Sequence, residues 1–271
     1  MDNVALLGHP VAGSLWPQAL TALGRLLDRD VKIKSVDADA VKLAAAVEKL
    51  RAAKFAGAVV AAPSKHAALS LSGSTSAEGK SLGTANCLKF EADGVKGHSV
   101  EATGFYDLVS ESGLRVRDST CQILGTGPAA KAAAYALGRG GAKHVKVWAK
   151  KTAEAEQLSK EVGMHWPETI FSAGPAGPAE LWVNCLTAEG EKADKLPVKA
   201  LAGVAVAIDL ECAKAQTKFL AMGAAARARC LSGYPVLAYQ AIRAWEFWFG
   251  PVGGPGRTVL KGDLLRLKRW K

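Results

Sequence analysis

The chain contains no uninterrupted apolar run of about 18 residues, the length a membrane helix needs. Its start, MDNVALLGHP, lacks a basic segment leading into an apolar stretch with a small-residue cleavage site. Neither a membrane span nor an export leader is expected. Cysteine is sparse: Cys87, Cys121, Cys185, Cys212 and Cys230 are scattered, odd in number and form no CxxC pair. That argues against a disulfide framework and for a reduced, cytoplasmic protein. His9, His66, His98, His144 and His165 are far apart, and only His98 with Glu101 and His165 with Glu168 have a possible ligand at i+3 or i+4. Two ligands do not make a metal site, so no metal is assigned.

What is present is the material of a packed protein. Of 271 residues, 49% are hydrophobic and 22% charged, enough apolar surface for two α/β lobes. The net charge of +10 suits nucleic acid, but equally a field that draws in a phosphorylated cofactor or an anionic substrate. No nucleic-acid motif accompanies it. The expected partner is therefore a small-molecule substrate, with no nucleic acid and no membrane, and the chain is expected to be a monomer or homodimer.

Hydrophobic periodicity places strands at Val4–Gly8, Val31–Val36 and Phe55–Ala62, separated by helices at Pro17–Leu27 and Ala40–Ala53. Leu82–Phe90 and Val95–Ser99 flank Ala92-Asp93-Gly94 and read as a hairpin, with a helix beginning near Glu101. A second alternation follows: strand Thr120–Leu124, helix Pro128–Gly138, strand Val145–Ala149, helix Ala153–Val162, strands Leu181–Cys185 and Val204–Leu210, helix Lys214–Met222 and a short strand at Arg227–Leu231. Its sheet should be parallel, with helices on both faces. The stretch SAGPAGP, Ser172–Pro178, reads as a loop inside that alternation, and a long helix, Pro235–Phe249, closes the pattern before PVGGPG and a basic tail.

Cys121-Gln122-Ile123-Leu124 runs directly into Gly125-Thr126-Gly127-Pro128-Ala129-Ala130 and an Ala-rich helix, a G-x-G-x-x-A turn in strand-to-helix context. Gly125 permits the turn, Gly127 lets a pyrophosphate approach the backbone, Pro128 suits the first helical position, and Ala129 and Ala130 open the helix that packs closely on the strand. The alternative is an ordinary tight turn. About 20 residues further, where a dinucleotide fold places an acid for the ribose 2′-hydroxyl, the second strand ends in Ala149-Lys150-Lys151. Two ammonium groups suit a 2′-phosphate, and the competing reading is a solvated basic loop. NADP is expected in preference to NAD, with its nicotinamide near Asn184–Thr187 and Gly233.

Several separated segments together resemble the shikimate dehydrogenase family. LLGHPVAGSLWP resembles its G-x-P-x-x-x-S-x-S-P motif, AAPSKHAAL its V-P-x-K segment, and LGTANCLKF with GHSVEATGF its A-V-N-T and G-x-N-T-D-G-x-G-F segments. ILGTGPAAKAAAYAL resembles its G-x-G-G-x-x-[KR]-A turn, and GYPVLAYQAIRAWEFWFG its closing helix. The resemblance implies an α/β protein with an N-terminal α/β substrate lobe, residues 1–103 joined by the C-terminal segment 236–271, plus a Rossmann-like doubly wound NADP-binding lobe, residues 104–235. It implies an NADP-dependent dehydrogenase that transfers hydride between NADP(H) and a cyclic alcohol or ketone, with Lys65 and Glu101 catalytic and Ser14, Asn86 and Gln240 binding substrate.

Each residue has a plainer reading beside that one. Lys65 is otherwise a surface lysine after Pro63, Glu101 a first-turn helix acid, Asn86 a hairpin cap, Ser14 an N-cap and Gln240 a core amide. Glu101 stands where the family has an aspartate. Trp16 replaces a serine, Ala61 and Val100 replace threonines, and Val59 replaces an asparagine. Each change removes a polar group from the expected pocket, which favours a less hydroxylated cyclic ketone or imine over a polyhydroxy acid. A non-enzymatic NADP-binding sensor is the third alternative. Trp245, Phe247, Trp248 and Phe249 are expected to pack as core between the lobes.

Overall fold

The computed structural model describes residues 2–186, 196, 201–212 and 217–252. The basic tail, most of PVGGPG, Thr187 and the start of the helix expected at Lys214 lie outside the described residues. Two compact units divide the chain: Met1–Gly104 with the segment from Leu237 onward, and Phe105–Val236.

The first unit carries β1 (Asp2–Gly8), α1 (Trp16–Leu26), β2 (Val31–Asp37), α2 (Leu43–Ala52), β3 (Gly57–Val60), α3 (Lys65–Ser70), β4 (Ser74–Thr75), α4 (Ala77–Leu82), β5 (Cys87–Glu91), β6 (Gly94–His98) and the start of α5 (Val100–Glu111). Its sheet has the order β2-β1-β3-β5-β6-β4. Val4 to Leu7 of β1 are buried, as a central strand requires, whereas β2 alternates between half-buried and exposed as an edge strand does. The hairpin of β5 and β6 pairs Glu91 with Gly94 across Ala92-Asp93, the turn expected from the sequence. Leu82 is not in that hairpin. It ends α4, which Ser76 caps by accepting a hydrogen bond from the Gly79 N–H at 3.1 Å.

The second unit continues with β7 (Thr120–Leu124), α6 (Pro128–Arg139), β8 (His144–Trp148), α7 (Thr152–Gly163), β9 (Ile170–Ala173), β10 (Leu181–Asn184), β11 (Val206–Asp209), α8 (Lys218–Ala225), β12 (Arg229–Leu231) and the start of α9 (Gly233–Phe249). Every strand pair in its sheet is parallel, in the order β12-β11-β10-β7-β8-β9. In chain order this is the 3-2-1-4-5-6 arrangement of a doubly wound fold, whose ligand crevice opens beyond the C-terminal end of the first strand. The loop expected at Ser172–Pro178 is shorter than its composition implies, because Ser172 and Ala173 belong to β9 and pair with Lys146 and Val147. Helix α8 begins at Lys218, where Thr217 Oγ1 accepts from the Leu220 N–H.

The aromatic run of α9 packs on the first unit. Trp248 Nε1 donates to the Leu88 carbonyl at 2.8 Å, and a side chain at Gly57 would collide with the same indole. Trp245 lies over Gly24 of α1, and Arg29 stacks 3.9 Å from the Phe249 ring centroid while its Nε donates to Asp2. Trp245, Trp248 and Phe249 thus fill the space beside β3, β5 and α1, and Phe247 lies against His98. Helices α5 and α9 meet at Gly104: a Cβ there would stand 2.7 Å from Gln240 Cγ and 2.8 Å from its backbone N.

Candidate active site

Lys65 opens α3, immediately after the turn that follows β3. Its carbonyl accepts from the Ala85 N–H, which ties this first helical turn to the segment bearing Asn86, just before β5. Glu101 lies in the first turn of α5. The two side chains meet: Lys65 Nζ donates to Glu101 Oε1 at 2.6 Å, with side-chain exposures of 14% and 10%. The extra methylene of a glutamate therefore does not prevent the pair. Its second oxygen, Oε2, is buried with no hydrogen-bond partner, and so is the Ser99 hydroxyl two residues earlier. A carboxylate oxygen in that condition is under-satisfied.

Asn86 is 2% exposed, and its Oδ1 accepts from the Val100 N–H at 2.8 Å. It caps α5, the helix that carries Glu101, and not the hairpin; its Nδ2 makes no hydrogen bond among the described residues. Ser14 is half-buried and accepts from the Trp16 N–H at 3.4 Å, while Leu15 holds the cap position of α1. Gln240 is half-buried, and its amide has no hydrogen bond among the described residues. Trp16 and Ala61 are half-buried. Val59 and Val100 are fully buried in the core, a correction to their reading as pocket-lining groups.

In the second unit Gly125 has φ +109°, a conformation that an L-residue rarely adopts, and its N–H donates to the Trp148 carbonyl at 2.8 Å. Gly127 sits at the N-cap of α6 with no side-chain cap; a Cβ there would meet nothing within 4 Å. Pro128 is exposed, Ala129 half-buried and Ala130 fully buried. The start of α6 thus has no side-chain cap and open space beside Gly127 at the positive end of the helix dipole, a fitting seat for a phosphate. Lys150 and Lys151 are exposed. Lys150 has no ion-pair partner among the described residues, whereas Lys151 Nζ lies 3.1 Å from Glu154 Oε1.

Asn184, expected near the nicotinamide, is tied into the second unit by its own side chain. Its side chain is 0% exposed, with Nδ2 donating to Asp209 Oδ1 and Oδ1 accepting from the Leu186 N–H. Asp209 also accepts from Thr217 Oγ1 at 2.5 Å and from the Glu211 N–H; burial raises its pKa against those hydrogen bonds. The sequence reading missed Glu154, visible there only as an acid three residues after Lys151. Its Oε2 accepts from Thr126 Oγ1 at 3.2 Å, and the Lys151 ammonium lowers its pKa. Burial pushes the Cys121 and Cys212 thiols up to about 12, which removes both as nucleophiles. Among the described residues, no group of three or more His, Cys, Asp or Glu side chains is arranged to hold a metal, and no helix is long and apolar enough to cross a membrane.

A family model for the shikimate dehydrogenase substrate binding domain matches residues 6–88. A shikimate dehydrogenase (NADP(+)) of Xylella fastidiosa strain 9a5c is 30% identical over 279 aligned residues, covering 97% of each chain. Shikimate 5-dehydrogenase of Thermus thermophilus, solved in complex with NADP(H) and shikimate, is 26% identical, with a TM-score of 0.82 over 98% of this chain and 99% of that one. The 5-ketofructose reductase of Gluconobacter sp. strain CHM43, at 21% identity, shares the fold with a TM-score of 0.82 over 98% of both chains. With that identity over almost its whole length, the chain belongs to the shikimate dehydrogenase family.

Proposed function

We propose that the protein is an NADP-dependent oxidoreductase acting on a cyclic alcohol or its ketone, of the shikimate and 3-dehydroshikimate type. The observation that carries this is the nearly enclosed Lys65–Glu101 pair, with a Glu101 oxygen left buried and unpartnered. Lys65 exchanges a proton with the substrate oxygen, and its ammonium offsets alkoxide charge as that charge develops. Glu101 holds the ammonium in place. Asn86 positions the start of α5, and with it Glu101, while its Nδ2 remains to donate to a substrate oxygen. Ser14 and Gln240 supply further polar contacts from α1's approach and from α9.

NADP(H), when bound, supplies or accepts the hydride. The turn Gly125 to Ala130, at the uncapped start of α6, would hold its pyrophosphate, and Lys150 would meet the 2′-phosphate. Asn184, enclosed as it is, keeps β10 and β11 in register beside that turn through Asp209. The test is direct: the purified chain is mixed with NADP⁺ and shikimate, then with NADPH and a panel of cyclic ketones and imines, and nicotinamide absorbance is followed. Turnover of none of these, with NADPH bound, would replace the enzyme reading with a sensor.

A second reading concerns the substrate alone. Trp16 and Ala61 are half-buried in the first unit and bring no hydroxyl to a ligand, which favours a ring with fewer hydroxyls. The fold is no guide to that choice, since function resides in the site and not in the architecture. Five free thiols suit a reducing, cytoplasmic setting, and a monomer or homodimer is the proposed state.

A further inference from the structure

We propose that Glu154 is a cofactor-selectivity residue that weakens the hold on a 2′-phosphate and so keeps the site open to dinucleotides that lack one. The inference rests on the dinucleotide reading of the second unit. One carboxylate joins two parts of that site: Oε1 lies 3.1 Å from Lys151 Nζ, and Oε2 accepts from Thr126 Oγ1 at 3.2 Å. Thr126 is the middle residue of the turn Gly125-Thr126-Gly127. The Gly125 N–H in turn donates to Trp148, the last residue of β8, so the turn and the lysines beyond that strand are held side by side.

An acid in the first turn of a helix has an ordinary explanation in the helix dipole. That accounts for a carboxylate at the start of α7 but not for its two partners, which are the phosphate turn and one of the two lysines. A 2′-phosphate carries up to about two negative charges, as phosphate monoesters do near neutral pH. It meets Lys150, which is free of ion pairs among the described residues, but it must compete with Glu154 for Lys151 and approach a fixed negative charge. A ribose 2′-hydroxyl meets no such repulsion, and the same carboxylate is an acceptor for it. Glu154 is half exposed, so water screens the repulsion and the effect is a few-fold change, not orders of magnitude.

The experiment is calorimetric titration of the full chain and its Glu154→Gln and Thr126→Val variants with NADP⁺ and with NAD⁺, at low and high salt. Glu154→Gln is expected to tighten NADP⁺ by about two- to fivefold, to leave NAD⁺ unchanged or slightly weaker, and to lose its advantage at high salt. Thr126→Val is expected to shift both cofactors alike. NADP⁺ binding that is unchanged or weaker in Glu154→Gln overturns the proposal, as does a selective NADP⁺ gain in Thr126→Val, which would assign the effect to release of the turn. If neither dinucleotide binds the unaltered protein, the cofactor reading itself falls. Binding of both with an unmoved ratio sinks only the role of Glu154.

Discussion

Lys65 Nζ and Glu101 Oε1 stand 2.6 Å apart in surroundings that leave each side chain only about one-seventh to one-tenth exposed. Two charges so enclosed are a poor source of stability, because desolvation offsets much of their attraction, yet removing one strands the other.

Lys65→Ala is therefore expected to act twice. Turnover of a verified substrate should fall by roughly 10²–10⁴-fold, the usual size of a general acid–base contribution. Unfolding in urea should show a loss of about 3–5 kcal/mol from the unpaired Glu101. NADPH affinity, which belongs to the other unit, should not change. A normal rate in this variant would remove Lys65 from the chemistry.

For the substrate, Trp16→Ser combined with Ala61→Thr should raise kcat/KM for shikimate by about tenfold, as two restored hydrogen bonds of about 0.5–1.5 kcal/mol each would. The unaltered protein should oxidise shikimate poorly and reduce a less hydroxylated ring better. A wild-type KM for shikimate within the ordinary range of about 1 μM–1 mM and a high turnover would show that these positions tolerate their substitutions.

Gly104→Ala tests the crossing of α5 and α9. Two of the atoms an added methyl meets, Gln240 N and Cα at 2.8 and 3.0 Å, are backbone and cannot rotate away. Despite the better helix propensity of Ala, the variant should lose about 1–3 kcal/mol and melt several degrees lower. A melting temperature equal to wild type would mean that the helices separate at no cost.

His98 gives stability a pH dependence. Burial lowers its pKa below the ordinary 6.5, assisted by Arg243 and opposed by Glu78, while the ring lies against Phe247 at 5.2 Å. Below pH 6.5 the unfolded chain takes up a proton here that the folded chain resists. Its contribution is thus fully present above pH 6.5 and declines as the pH falls from there toward the lowered folded-state value. Urea midpoints at pH 5.5 and 7.5 should differ less in His98→Gln than in wild type. An identical difference in both would assign the dependence to other groups.

The second unit is the more legible in sequence because its signals are backbone requirements. Gly125 must take a positive φ, Gly127 must leave space, and Ala130 must let α6 press on β7. Strand β9 is hard to see: it is four residues long, begins with the exposed Ile170 and runs into Gly174 and Pro175. Helix α4 is equally faint, being six residues with Gly79 inside it, although Ser76 is a readable cap. At the site, residue types are legible but their directions are not. Val59 and Val100 occupy positions that look like pocket wall and turn into the core instead. Glu154 stays hidden because its second partner, Thr126, lies 28 residues away in sequence.

The hydrogen bond from Trp248 to Leu88 joins residues separated by 160 positions. During synthesis, the strands of the first unit leave the ribosome long before the helix that covers them. At about 5–20 residues per second, that wait is about 8–30 s, during which the entire dinucleotide unit is made. Through that interval the space beside Gly57, which the Trp248 indole fills in the folded chain, has no occupant from α9. The order of maturation is thus the reverse of the order of the gene: the unit encoded first is completed last.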